Sequence, residues 1–232
     1  MLASERLVLI TNKIIENKIV HVNTLSKEFN VSKMTIRRDL NTLAKEGFIK
    51  RTHGGALFNE ELAELLDFNF KQQENKEVKR EIAEYAASLI HDNDTIAINT
   101  STVTTMLAPF IKDMKITVVT NSLDVINQLS DSKTITLIAV GGTYISKYRS
   151  FEGTNTIQEF SDYDFDIAFV GTNGIYDNYI HTGSALEAQA KKVLLKNAKK
   201  SYILTENTKW YKKGNHRIAK LSDITVITKN AP

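Results

Sequence analysis

From Thr95 onward the chain repeats one pattern, and that repetition limits the possible folds more than any other feature. Short β-branched runs at residues 95–98, 116–120, 134–140, 166–172, 200–205 and 224–228 are mostly separated by stretches with helical spacing, at 103–111, 123–129, 153–160 and 184–198. Strand alternating with helix predicts an α/β domain on a doubly wound, mainly parallel sheet. Residues 74–90, with Val78, Ile82, Tyr85, Ala86 and Leu89 at three- and four-residue steps, read as the helix that opens it. Ligands collect beyond the carboxyl ends of strands in such sheets, so chemistry is sought there.

The first quarter of the chain follows other rules. Residues 31–40 read as a helix in which Ile36, Leu40 and Leu43 share one stripe. Met34, Arg38, Asn41 and Lys45 point the opposite way, with Lys33 and Arg37 on a flank. Ser32 stands where an N-cap belongs, and Gly47 where a left-handed terminator ends a helix. Upstream, residues 23–29 make two turns with Leu25 and Phe29 on one side, and the break at Asn30 gives helix-turn-helix spacing. Residues 5–15 form a supporting first helix, and 19–22 an extended piece placed to pair with a wing. Residues 48–51 alternate apolar and basic, and 52–56 turn back through Gly54 and Gly55, which predicts that wing.

Charge agrees with a nucleic-acid role for this part. Residues 1–57 carry ten Lys/Arg and five Asp/Glu, a balance of +5 in a chain of +3 overall, which leaves −2 for the remainder. Only seven arginines stand against 23 lysines, yet Arg37, Arg38 and Arg51 all fall in the reading helix and wing. There a planar donor fork suits guanine edges and phosphates. The candidate DNA contacts are Ser32, Lys33, Met34, Thr35, Arg37, Arg38 and Asn41 on the helix, with Lys50, Arg51, His53 and Gly54 on the wing. The plainer reading of Arg-Arg-Asp is a solvated face with an intrahelical ion pair.

The chain lacks cysteine, which excludes disulfides, thiolate metal sites and cysteine nucleophiles. No apolar run approaches the roughly 18 residues of a membrane span, and the first residues read as an amphipathic helix rather than a signal peptide. The expected compartment is the cytoplasm. His21, His53, His91, His181 and His216 are isolated, so no metal set and no cofactor is expected. The expected divisions are a DNA-binding domain at 1–57, a partly helical connector at 58–73 and an α/β domain at 74–232.

Four successive strand ends carry small polar or glycine turns: Asn99, Thr100, Ser101 and Thr102; Thr120 and Asn121; Gly141 and Gly142; Gly171 and Thr172. Hydroxyls and free amides at such turns suit an anion, although ordinary capping explains each one alone. Glu187 on the next helix and Lys209 after the fifth strand add one charge of each sign. The sequence predicts one anion cleft with donors in excess and little competing carboxylate. Lys191, Lys192, Lys199 and Lys200 read as solvated charges, and Trp210 with Tyr211 as core or a lid.

Thr35-Ile36-Arg37-Arg38-Asp39-Leu40, followed about a dozen residues later by His53-Gly54-Gly55-Ala56, resembles the winged helix-turn-helix of DeoR-type bacterial regulators. The resemblance continues through Thr120-Asn121, Gly141-Gly142, Gly153, Gly171 with Gly174, Glu187 with Lys191, and Thr208-Lys209. It implies a sensor domain similar in fold to ribose-phosphate isomerases and CoA transferases. It also implies a repressor of sugar or polyol genes, controlled by a phosphorylated sugar or polyol and acting on operator DNA; one short helix and one wing bury too little surface for specific affinity, so a homodimer or homotetramer is expected. The family commonly has an acidic residue followed by Gly-Thr-Thr at the first strand end, where this chain has Asn99, Ser101, Thr102 and Val103; Glu206 stands where Asp is usual. An amide cannot shuttle a proton as a carboxylate does, which counts against the rival reading of an isomerase with an appended DNA-binding domain. A second rival is a DNA-binding scaffold with a dead pocket.

Overall fold

The computed structural model describes residues 3–45, 47, 49–59, 68 and 71–229. They divide into two compact units, with the break between residues 67 and 68. The connector expected at 58–73 falls largely on residues 60–67 and 69–70, outside the described set.

In the smaller unit, α1 (Ala3–Asn17), β1 (Ile19–His21), α2 (Val22–Glu28) and α3 (Lys33–Lys45) precede a hairpin of β2 (Ile49–Arg51) and β3 (Gly55–Phe58). β3 lies between β1 and β2 in a three-stranded antiparallel sheet, so residues 19–21 do pair with the wing. Ile10, Ile14, Leu25, Ile36, Leu40, Leu43 and Ile49 are buried together and hold the three helices to the sheet. Ser32 Oγ accepts the Thr35 amide at 3.1 Å, the capping bond expected at the start of α3. Gly47 follows α3 with φ 83°, in the left-handed region that glycine enters without steric cost.

The larger unit runs α4 (Lys76–Ala87), β4 (Thr95–Ile98), a 3-10 turn at Thr104–Leu107, α5 (Ala108–Ile111), β5 (Thr117–Thr120), α6 (Leu123–Leu129), β6 (Thr136–Ala139), β7 (Thr143–Ile145), β8 (Ser150–Glu152) and α7 (Thr154–Ser161). It continues with β9 (Phe165–Gly171), β10 (Gly174–Tyr176), β11 (Tyr179–Thr182), α8 (Ala185–Lys196), β12 (Ala198–Leu204), a 3-10 turn at Asn207–Lys209, β13 (His216–Lys220) and β14 (Thr225–Ile227). Six strands form a parallel sheet in the order β14-β12-β9-β4-β5-β6. The side-chain period of two sends Ile96, Ile98, Val118, Ile167, Phe169 and Leu204 to one face, where they meet Ile82 and Ala86 of α4 and Leu107. Ala97, Val119, Ala168, Val170 and Ile203 go to the other face, against Phe160 of α7 and Leu194 of α8. Burial on both faces accounts for the continuous apolar runs.

The chain winds from β4 outward to β6, then returns to β9 and winds outward to β14. The switch point lies between β4 and β9, the crevice where an open α/β sheet takes its ligand. Two antiparallel additions were not predicted: the hairpin β7-β8 and a sheet in the order β10-β11-β13. No helix among the described residues is long and apolar enough to cross a membrane.

Candidate functional site

Two surfaces carry unassigned chemistry, one on each unit. On α3, Ile36, Asp39, Leu40 and Leu43 are buried, at the i, i+3, i+4, i+7 spacing of a core stripe. Asp39 does not pair within its helix: Arg6 of α1 donates through Nε to Oδ2 at 2.6 Å and through Nη2 to Oδ1 at 3.2 Å. That buried fork fixes the rotation of α3 about its axis and leaves Lys33, Met34, Arg37, Arg38 and Asn41 exposed, Met34 to 69%. Among the described residues the side chains of Arg37 and Arg38 form no hydrogen bond or ion pair. On the wing, Lys50, Arg51, His53 and Gly54 are exposed, and Arg51 Nη1 donates to Gly55 O at 2.7 Å across the turn. Thr35 is half-buried and its hydroxyl lies 3.0 Å from that of Ser32.

At the switch point the polar groups are mostly engaged already. Ser101 Oγ accepts the amides of Val103 and Thr104, at 3.3 and 3.0 Å, and so caps the 3-10 turn. Its Cβ sits over Gly171, where an added Cβ would lie 2.2 Å away, so only glycine fits beneath it. Thr120 Oγ1 donates to Ile98 O at 2.6 Å and accepts the Ser122 amide at 3.1 Å. Thr172 Oγ1 lies in reach of Gly174 O and His181 O, at 2.9 and 2.7 Å, in the turn that carries β9 into β10. The Gly141 amide donates to Glu159 Oε2 at 3.0 Å, and Gly142 is covered by Thr156 and the Glu152 carbonyl. These groups hold the turns in shape.

Asn99 is different. It is 1% exposed; its Nδ2 donates to Asn121 Oδ1 at 3.3 Å, and its Oδ1 has no partner. Asn121 Nδ2 donates to Phe151 O at 2.9 Å, which turns the Asn121 oxygen toward Asn99 and so leaves the Asn99 amide nitrogen, not its oxygen, facing Asn121. Asn99 borders a void of about 10 Å³, room for about one water. Thr100, Asn121, Phe151, Glu152, Thr156, Leu186 and Glu187 also border it.

Two carboxylates therefore stand at this void, and the expected scarcity of carboxylate is corrected. The sequence reading failed because the hairpin β7-β8, which brings Glu152 in, has no periodic signal. Lys191 is likewise not solvated: at 1% exposure its Nζ donates to Glu187 Oε1 at 2.5 Å and Thr182 Oγ1 at 3.1 Å. Burial pushes Glu187 up, but attraction and hydrogen bonding from Lys191, with bonds from Thr182 and Gly183, outweigh it and hold its carboxyl below the ordinary value. Burial pushes Glu152 up, and repulsion from Glu187 adds to it. A wider groove at the start of β12, between Lys192, Lys199 and Asp223, contains none of the strand-end residues and no unsatisfied buried side chain.

Lys209 lies apart from this void, after β12. Burial lowers its pKa, and repulsion from Lys71, Lys212 and Lys79 lowers it further against the attraction of Glu206, so four lysines and one carboxylate converge there. The neighbouring Trp210 buries its indole Nε1–H without an acceptor. Beside it, Lys79, 1% exposed, reaches the Glu74 carbonyl at 2.6 Å and Glu206 Oε1 at 3.4 Å, while Asn75 Nδ2 donates to Glu206 Oε2 at 2.8 Å. This network was not foreseen, since its partners are about 130 residues apart in the chain. His181 is buried between Gly214 O and Tyr176 O, at 3.0 and 3.2 Å. Among the described residues no three His, Cys, Asp or Glu side chains converge as metal ligands.

Residues 6–62 match the DeoR-like helix-turn-helix domain, and residues 74–230 match the DeoR C terminal sensor domain. The chain is 35% identical to the HTH-type transcriptional regulator IolR of Bacillus subtilis, over 86% of this chain and 80% of that one. It is 37% identical to the lactose phosphotransferase system repressor of Lactococcus lactis, over 82% of this chain and 76% of that one. Among solved structures, ribose 5-phosphate isomerase A of Methanocaldococcus jannaschii aligns with a TM-score of 0.42 at 18% identity, covering 59% of this chain and 55% of that one.

Proposed function

The chain belongs to the DeoR family of helix-turn-helix transcriptional regulators, and on that premise we propose that it represses sugar or polyol genes from the cytoplasm, acts on operator DNA through α3 and the wing, and answers to a phosphorylated sugar or polyol in the larger unit. The observation that carries the DNA reading is the pair Arg37 and Arg38. Both are exposed, and among the described residues neither has a side-chain partner, on a helix whose opposite face is locked by Ile36, Leu40 and the Arg6–Asp39 fork. One short helix and one wing bury too little surface for specific affinity, so two or four copies bind two half-sites about one DNA turn apart. Effector control is linkage: a ligand that binds one arrangement of the assembly more tightly changes operator affinity by that same free energy. The name of the Lactococcus relative supports the sugar reading, and the amide at Asn99 supports a sensor over an isomerase.

The test is binding to a duplex selected from a random-sequence pool by the unmutated protein. Arg37→Ala or Arg38→Ala should lose about 1–3 kcal/mol where the arginine reads a base edge, and mainly flatten the salt dependence where it holds a phosphate. If both variants bind the selected duplex like the unmutated protein at physiological salt, the reading helix is wrongly assigned. Sedimentation showing only monomer at micromolar concentration, with tight binding kept, would remove the oligomer.

A further inference from the structure

The void between β4, β8 and α8 is not a phosphate site, and its chemistry indicates what enters it. Its free hydrogen-bonding capacity is almost all accepting. Asn99 Oδ1 is buried without a donor, oriented by the Asn121–Phe151 link described above. The Glu152 carboxylate receives one long bond, from Ser150 Oγ at 3.4 Å, although a carboxylate has about four acceptor positions. Thr156 Oγ1 gives its proton to Gly141 O at 2.6 Å and so faces the void only as an acceptor. The nearest cation, Lys191, is committed to Glu187 and Thr182. Glu152 and Glu187 against Lys191 leave one negative charge in excess, so a phosphate at this place would meet repulsion.

We propose that Glu152 and Asn99 together form the subsite that reads a donor group of the effector, a hydroxyl or an ammonium about the size of a water molecule, and that the effector's phosphate lies elsewhere, toward Lys209. Glu152 thereby supplies the carboxylate that the first strand end lacks. The void is sized for such a group, and the two kinds of subsite are complementary: acceptors at β4 and β8, donors at the end of β12, where Lys209 and the unpartnered indole N–H of Trp210 lie. β4 and β12 are separated by β9 alone. Two strand spacings put the ends of β4 and β12 about 10 Å apart, a span that a phosphorylated six-carbon chain can bridge, and the 3-10 turn that carries Lys209 follows β12. The raised pKa of Glu152, caused by burial and then by Glu187, is what a carboxylate kept from its natural donors shows.

The inference rests on the effector reading above, and its test separates the two. The full chain is titrated by calorimetry with sorbitol 6-phosphate, glucose 6-phosphate, glucosamine 6-phosphate and n-hexyl phosphate, which keeps the phosphate and lacks donor groups. The unmutated protein should prefer one of the first three over n-hexyl phosphate by tenfold or more. Preference for the amino sugar identifies an ammonium, and preference for either of the others a hydroxyl. Glu152→Gln, which keeps the shape, should cut that preference by at least fivefold while leaving n-hexyl phosphate affinity unchanged; Glu152→Ala should cut it further. Lys209→Ala should weaken all the ligands alike. An unchanged preference in both Glu152 variants overturns the subsite alone. Flat titrations of the unmutated protein with every ligand overturn the effector reading and the subsite with it.

Discussion

Among the described residues Arg37 and Arg38 have no side-chain partner and stand exposed on a helix whose other face is closed; Asn99 is 1% exposed and its oxygen is closed in with no donor. The two units thus mark their sites in opposite ways. In the smaller unit a buried ion pair, Arg6–Asp39, fixes which side of α3 stays outside, and the site is what remains there. In the larger unit nearly every polar group at the strand ends is turned inward to hold a loop; left over among the described residues are Asn99 Oδ1, Thr105 Oγ1, the Trp210 indole and most of the Glu152 carboxylate, and the proposed subsites draw on these. A polar residue at a strand end is therefore poor evidence of a ligand contact until its hydrogen bonds are accounted for.

The largest effect is expected at Asp39. Asp39→Ala strands the buried Arg6 guanidinium and should destabilise the smaller unit by about 3–5 kcal/mol, seen as an early transition in chemical denaturation, while the transition of the larger unit stays in place. A cost under about 1 kcal/mol would mean that the fork does not set the rotation of α3. At the switch point Gly171→Ala forces a Cβ against Ser101 and should cost about 1–3 kcal/mol. Ser101→Gly in the same chain should recover part of that loss, and no recovery would show that the two do not crowd each other.

A smaller effect sharpens the inner site. Because the folded protein raises the Glu152 pKa, the unfolded chain releases this proton first as pH rises. Stability from this group therefore falls as pH climbs from the ordinary glutamate value through the raised one. Glu187 contributes the opposite slope below the ordinary value, since its carboxyl is held down. Glu152→Gln should remove the decline and leave the Glu187 rise intact. Equal pH profiles for the two proteins would place Glu152 in water.

The sequence carried the sheet and the reading helix well, because both are written in local periodicity. Residues 123–129 form a helix at the limits their apolar spacing suggests, and the six β-branched runs are the six strands of the parallel sheet. What it concealed is pairing at long range. Arg6 and Asp39 look like two surface charges until α1 and α3 meet. Glu152 follows Ser150 and Phe151 in a three-residue strand too short and too mixed to show a period. Lys191 was the avoidable error: Glu187 stands four residues before it, the spacing at which a glutamate meets a lysine on a helix, and Ala188 and Ala190 mark that side as buried.

Central to all of this is that the two sites communicate, and one titration addresses that directly. Fluorescence anisotropy of a duplex selected from a random pool is followed with increasing protein, first alone and then with a saturating concentration of whichever sugar phosphate the calorimetry identifies. We expect operator affinity to change by about 5- to 150-fold, the range of a coupling free energy of about 1–3 kcal/mol. A sugar phosphate that binds the larger unit and leaves operator affinity unchanged would contradict effector control of this protein.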